Sequence, residues 1–211
     1  MFKMPINQLL ETYSVDELLG MENYGFNNFY SLLKHLHSNN FNPHVPNNYN
    51  KIKDGLRFLY DNSDGKEEVV VFDSKPYGDL DKIYKESRLL QESMKSYATR
   101  GKIKIVMGSD YVQGNKLPCG VDELLNIESL KENIEVRIAT KKIEKELLGI
   151  LNENGTDKFT TVDLTINPSG ISRLQLNPES NIGVYFVKSN EITRDSHQLI
   201  IDNFSQLVKV A

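Results

Sequence analysis

Four consecutive apolar residues, Val69-Val70-Val71-Phe72, followed at once by Asp73-Ser74-Lys75, constrain this chain more than any other stretch. An unbroken β-branched and aromatic run suits a strand covered on both faces, so a central strand of a helix-flanked sheet is expected there. Ahead of it stands Asp61-Asn-Ser-Asp-Gly-Lys66, residues that accept positive φ or bond their own backbone, and so a turn. Ahead of the turn, Asp54-Gly-Leu-Arg-Phe-Leu-Tyr60 reads as a first strand with an acid at its start. Closed as a hairpin, the two strands bring Asp54 beside Asp73 and Lys75. Side chains alternate along a strand, which puts Asp73 and Lys75 on the same side.

Two carboxylates and one ammonium at a sheet end have a chemical use. Carboxylates hold a hard divalent cation such as Mg²⁺, which keeps waters and phosphate oxygens in its remaining positions. The ion then activates a bound water and stabilises charge on a phosphodiester, with Lys75 orienting the water or neutralising the transition state. A plainer role suits the same residues. Charged residues commonly end buried strands, and a second Asp-x-Lys, Asp64-Gly-Lys66, sits in the turn.

The stretch resembles the cleavage domain of FokI-type restriction endonucleases, within the PD-(D/E)xK nucleases. Lys53-Asp54-Gly55 stands where that family has Pro-Asp-Gly, and Asp73-Ser74-Lys75 where it has Asp-x-Lys. The likeness continues through Pro76-Tyr77-Gly78, a helix carrying Met94 and Tyr97, and the strand Lys102-Ile-Lys-Ile-Val-Met107. Gly108, Gly114-Asn115-Lys116, Val121-Asp-Glu-Leu-Leu125 and Asn133-Ile-Glu-Val-Arg137 extend it, so that it spans residues 50–150. Two departures stand out: Lys53 replaces the proline, and the intervals between motifs differ by a few residues.

The resemblance implies an α/β fold with a mixed central sheet flanked by helices, and a metal-dependent endonuclease that hydrolyses DNA. Asp54, Asp73 and the carbonyl of Ser74 would hold Mg²⁺, or Mn²⁺ in its place, and Lys75 would assist the water. It also implies a homodimer, or a partner nuclease or specificity subunit. A glutamate on an early helix often joins such sites, which makes Glu17 and Glu22 candidates, though both equally suit a solvated helix face. The helix after Asp-x-Lys would present Lys82, Lys85, Arg88 and Gln91 to the phosphate backbone, or simply to water. Two alternatives use the same core. One is an RNA endonuclease of the cap-cleaving type, with His35 or His44 assisting. The other is a non-catalytic interaction subunit that keeps the fold without the chemistry. His35 and His37 lie two apart on a predicted helix and do not point together.

The chain has 211 residues, enough for one large domain or for one domain plus an appendage. Three segments are expected: residues 1–45, helical; 46–155, the nuclease-like core; and 156–211, a β-rich extension ending in a helix. In the first, helices fall within 6–20 and 26–38, and the Asn- and Pro-rich residues 38–50 read as a loop. In the core, a helix over 80–99 links the apolar strand to the next, which predicts a parallel pair with a crossover. A short helix over 121–130, a strand over 135–139 and a helix over 140–151 follow. The extension has strands at 159–166, 171–176 and 183–187, then a helix over 191–208.

No stretch reaches the roughly 18 apolar residues of a membrane span, and the N-terminus lacks a secretory pattern. A single cysteine, Cys119, forms no internal disulfide and fits a reducing cytoplasm. The formal net charge of −4 disfavours a tight stand-alone DNA binder. Any nucleic-acid contact must use local patches such as Lys102/Lys104 or Lys141/Lys142/Lys145, or a partner that supplies most of the affinity.

Overall fold

Val69–Asp73 forms a strand with every residue buried, and a sheet is built outward from both of its edges. This is seen in a computed structural model that describes residues 44–45, 49–74, 88–113, 122, 125–153, 160–176 and 184–210. The strands are β1 (His44–Val45), β2 (Val69–Asp73), β3 (Ile103–Met107), β4 (Ile134–Ile138), β5 (Val162–Ile166), β6 (Ile171–Leu176), β7 (Val184–Lys188) and β8 (Val208–Lys209). Their order across the sheet is β1-β7-β6-β5-β2-β3-β4-β8. On one side of β2, β3 and β4 run parallel to it, with Val69 opposite Ile103 and Ile103 opposite Ile134. On the other side β5, β6 and β7 form an antiparallel meander that starts directly against β2. Thus β2 is the seam between a parallel and an antiparallel half.

The described helices are α1 (Tyr49–Asp61), α2 (Arg88–Ala98), α3 (Lys141–Glu153) and α4 (Glu191–Asn203). One face of the sheet, with Val69, Val71, Ile105 and Phe186, packs against Ile52, Leu56 and Leu59 of α1 and Leu90, Met94 and Tyr97 of α2. The other, with Val70, Phe72, Leu164 and Leu174, packs against Ile143, Leu147 and Leu151 of α3 and Ile192 and Ile200 of α4. Burying each such side chain contributes about 1.5–3 kcal/mol, so both faces are strongly specified. The protein is therefore an α/β fold with a mixed sheet flanked by helices, as its central strand suggests.

One element departs from expectation. Residues 54–60 lie within α1, not on a strand. Leu56, Phe58 and Tyr60 alternate like a strand, but Ile52, Leu56 and Leu59 also recur at helical intervals, and all five side chains are buried. Packing resolves the ambiguity. A Cβ on Gly55 would sit 2.1 Å from the ring of Phe186, so the glycine lets α1 lie close against the meander. The Asn- and Pro-rich stretch likewise contributes β1, paired with β7, and the start of α1.

The C-terminal strands extend the same sheet. Chain end and core also interlock: α4 stops at Asn203, a 3-10 turn spans Phe204–Gln206, and β8 pairs with β4. Asn190 and Thr193 cap α4 reciprocally. Lys104 and Arg137 both lie over the Phe204 ring, at 4.8 and 5.4 Å, and fix the turn to the sheet. The predicted helices over 6–20 and 26–38 and the Gly114-Asn115-Lys116 segment lie outside the described residues. Among the described residues no helix is long and apolar enough to cross a membrane.

Candidate functional site

Asp73 ends β2, the strand at which the parallel and antiparallel halves meet. Its carboxylate is 1% exposed, and Oδ2 accepts a hydrogen bond of 3.0 Å from the Tyr111 hydroxyl. Tyr111 comes from a 3-10 turn, Ser109–Gln113, directly after β3. Gly108 precedes that turn, and its N–H donates to the Asp73 carbonyl at 2.7 Å. A Cβ on Gly108 would lie 2.3 Å from the Ser74 carbonyl oxygen, so only glycine allows the two chains to pass this closely.

The acid beside Asp73 is Asp163, not Asp54. Asp163 stands opposite Asp73 in the β2–β5 register and is 3% exposed. Its Oδ1 accepts two bonds of 3.0 Å from Ser74, one from the backbone N–H and one from the hydroxyl. Asp54 sits on α1, whereas the strands flanking β2 are β3 and β5, so no hairpin carries Asp54 to the sheet end. It pairs instead with Arg57, one turn on, at 3.3 Å. Burial pushes the Asp54 carboxyl above its ordinary value, with the Arg57 guanidinium countering in part. Among the described residues, no three acids, histidines or cysteines converge as a metal-binding group. The pair Asp73 and Asp163 fits a divalent ion only in part: two oxygen-donor side chains, each with one oxygen already bonded to the protein.

Lys75, Glu17, Glu22, Lys82, Lys85, His35, His37 and Cys119 lie outside the described residues. Gln91 is half-buried on α2. Arg88 is exposed and its Nε bonds Glu92 at 2.9 Å. The basic patches are similarly matched by acids. Lys104 bonds Glu68 at 2.6 Å, Lys141 lies 3.5 Å from Asp110, and Lys142 lies 3.7 Å from Glu146.

A second polar feature is not foreseen by the sequence reading. In register, Asp73, Asp163 and Gln175 form one row across β2, β5 and β6, and Thr165 and Arg173 form the next. These side chains share the face covered by α1 and α2. All are at most 3% exposed, and Arg173 is among the largest fully buried side chains. Its Nη2 donates to Gln175 Oε1, while Arg173 Nε and Thr165 Oγ1 are buried without a hydrogen-bond partner. The alternation of VDLTI and ISRLQL suggests one wet face. Helices on both sides of the sheet remove that face, which is why these polar residues are interior.

On the opposite face, at the same end of β2, lies a cavity of about 180 Å³. Phe72, Leu148 and Val162 form its apolar floor, and Ser74, Thr160 and Thr161 supply hydroxyls. Its acids are Asp110 and Glu144. Glu144, in the first turn of α3, accepts from the Ser109 N–H at 2.5 Å through Oε1 and from the Ser109 hydroxyl at 3.1 Å through Oε2. Ser74 connects the two features, lining the cavity while bonding Asp163.

Fold and site together define an α/β protein with a small crevice, apolar at its floor, at the carboxyl end of its central strand. No protein-family model and no curated protein matches the chain. A solved structure described as that of TrmBL2, an archaeal chromatin protein with a novel mode of DNA binding, is similar over 92% of this chain at 13% identity, with a TM-score of 0.43. The chain spans 65% of that neighbour's length.

Proposed function

We propose that this chain is a ligand-binding module in which Asp73 and Asp163 brace the strand ends beside the cavity and do no chemistry. One observation carries the reading. Both acids are buried and held by protein donors, Tyr111 and Ser74, beside a cavity of the size of a small ligand. A hydrolytic metal site needs carboxylate oxygens turned toward solvent and substrate. Acids satisfied from within instead hold the strand ends rigid, and Asp163 does so through Ser74, which lines the cavity.

A second reading keeps the endonuclease. It is favoured by the Asp73–Asp163 pair, two oxygen-donor side chains across one strand pair, with Lys75 next along the chain. In that case Asp73 and Asp163 would hold Mg²⁺ or Mn²⁺, and the ion would supply an activated water for phosphodiester hydrolysis. The substrate would be DNA, or RNA in the cap-cleaving variant, and a homodimer or a partner nuclease or specificity subunit would complete double-strand cleavage.

Purified protein incubated with plasmid DNA and with single-stranded RNA, in Mg²⁺, Mn²⁺ or chelator, separates the two. The binding reading expects no metal-dependent cleavage. Cleavage that chelator stops and that both Asp73→Asn and Asp163→Asn abolish would overturn it in favour of the nuclease.

A further inference from the structure

We infer that the cavity beside Phe72 takes a small aliphatic ammonium ligand, an assignment that rests on the binding-module reading. Size sets the first limit. A volume of about 180 Å³ falls below the roughly 300–1,000 Å³ of pockets that take drug-sized ligands, which suits a small one.

Charge sets the second. Among the described residues, the lining holds two carboxylates and no cationic side chain. Asp110 has Lys141 at 3.5 Å, but both ends of that pair are largely exposed and such pairs contribute little. Glu144 makes no ion pair among the described residues, and Ser109 fixes its carboxylate through both oxygens. A negative charge oriented in advance loses little freedom when a cation arrives. An anionic ligand would meet like charge.

The floor decides between kinds of cation. A divalent ion needs about six oxygen ligands and gains nothing from Phe72, Leu148 and Val162. An alkylammonium uses both parts of the cavity. Its head bonds the carboxylates in charge-assisted fashion, and its methylenes cover the apolar floor at about 0.8 kcal/mol per buried CH₂.

Calorimetric titration of the full chain with ethanolamine and n-butylamine tests this, against n-butanol, butyrate and MgCl₂ as matched probes. Saturable binding of an amine is expected, weakened about tenfold or more in Glu144→Gln, as suits loss of a charged hydrogen bond. Asp110→Asn, at the exposed rim and no threat to folding, should weaken it by a smaller factor. Amine binding that neither variant changes overturns the assignment. So does saturation by butanol, butyrate or Mg²⁺ in place of the amines, and so does failure of both amines to bind. Failure of the binding-module reading is scored separately, by metal-dependent cleavage that Asp73→Asn and Asp163→Asn abolish.

Discussion

Asp54 and Asp163 exchange the roles that their sequence neighbourhoods suggest. Asp54 is a half-buried helix acid whose carboxyl is raised by burial and only partly lowered by Arg57. A folded pKa above the unfolded one means that its contribution to stability is fully present below the unfolded carboxylate range. That contribution is lost as pH rises through the folded value. Asp54→Asn should therefore gain stability over the parent as pH rises from about 3 to about 7, and Mg²⁺ should not alter the gain. Urea denaturation at the two pH values checks it. A flat difference would refute the burial account, and a gain cancelled by Mg²⁺ would return Asp54 to the metal. Asp73 was legible because it ends an unmistakable buried run. Asp163 was not, since an acid in an alternating strand looks solvent-facing until the partner strands and covering helices are known.

At the scale of elements, the same ambiguity separates α1 from the strand expected over 54–60. Five apolar residues among nine satisfy both periods, and only the fit of Gly55 against Phe186 shows which one the tertiary structure uses. Gly55→Ala forces a methyl into that ring, and overpacking of this kind costs about 1–3 kcal/mol, read as a lowered urea midpoint with unchanged slope. An unchanged midpoint would contradict the close approach of α1. The meander carries the opposite kind of liability. Arg173, with one hydrogen bond to Gln175, is a buried charge of the sort that apolar residues of similar volume often replace without loss. Arg173→Met with Gln175→Leu should leave stability unchanged or raise it by about 1–4 kcal/mol. A large loss would show that the guanidinium has partners supplied from elsewhere. The strands themselves, 69–73, 103–107, 134–138 and 171–176, were readable from apolar runs and turn residues. Their pairing was not, because a strand's sequence does not state its neighbour.

For the whole molecule, the decisive fact is that residues beyond 156 complete the sheet against β2. The C-terminal extension supplies one flank of the central strand, the acid opposite Asp73, and α4 over the second core. The mixed sheet was expected; its seam at β2 was not, and the seam is what places the crevice. There Asp163 holds Ser74, and Ser74 lines the cavity. The most direct test is thermal melting of the parent, Asp163→Ala and Asp54→Ala, each with and without Mg²⁺. Loss of the two Ser74 bonds at a buried acid should cost Asp163→Ala about 1–3 kcal/mol, a Tm lower by roughly 2–4 °C per kcal/mol, with Asp54→Ala changed less and no protein shifted by the ion. A Tm that Mg²⁺ raises in the parent, and no longer raises in Asp54→Ala, would contradict the account.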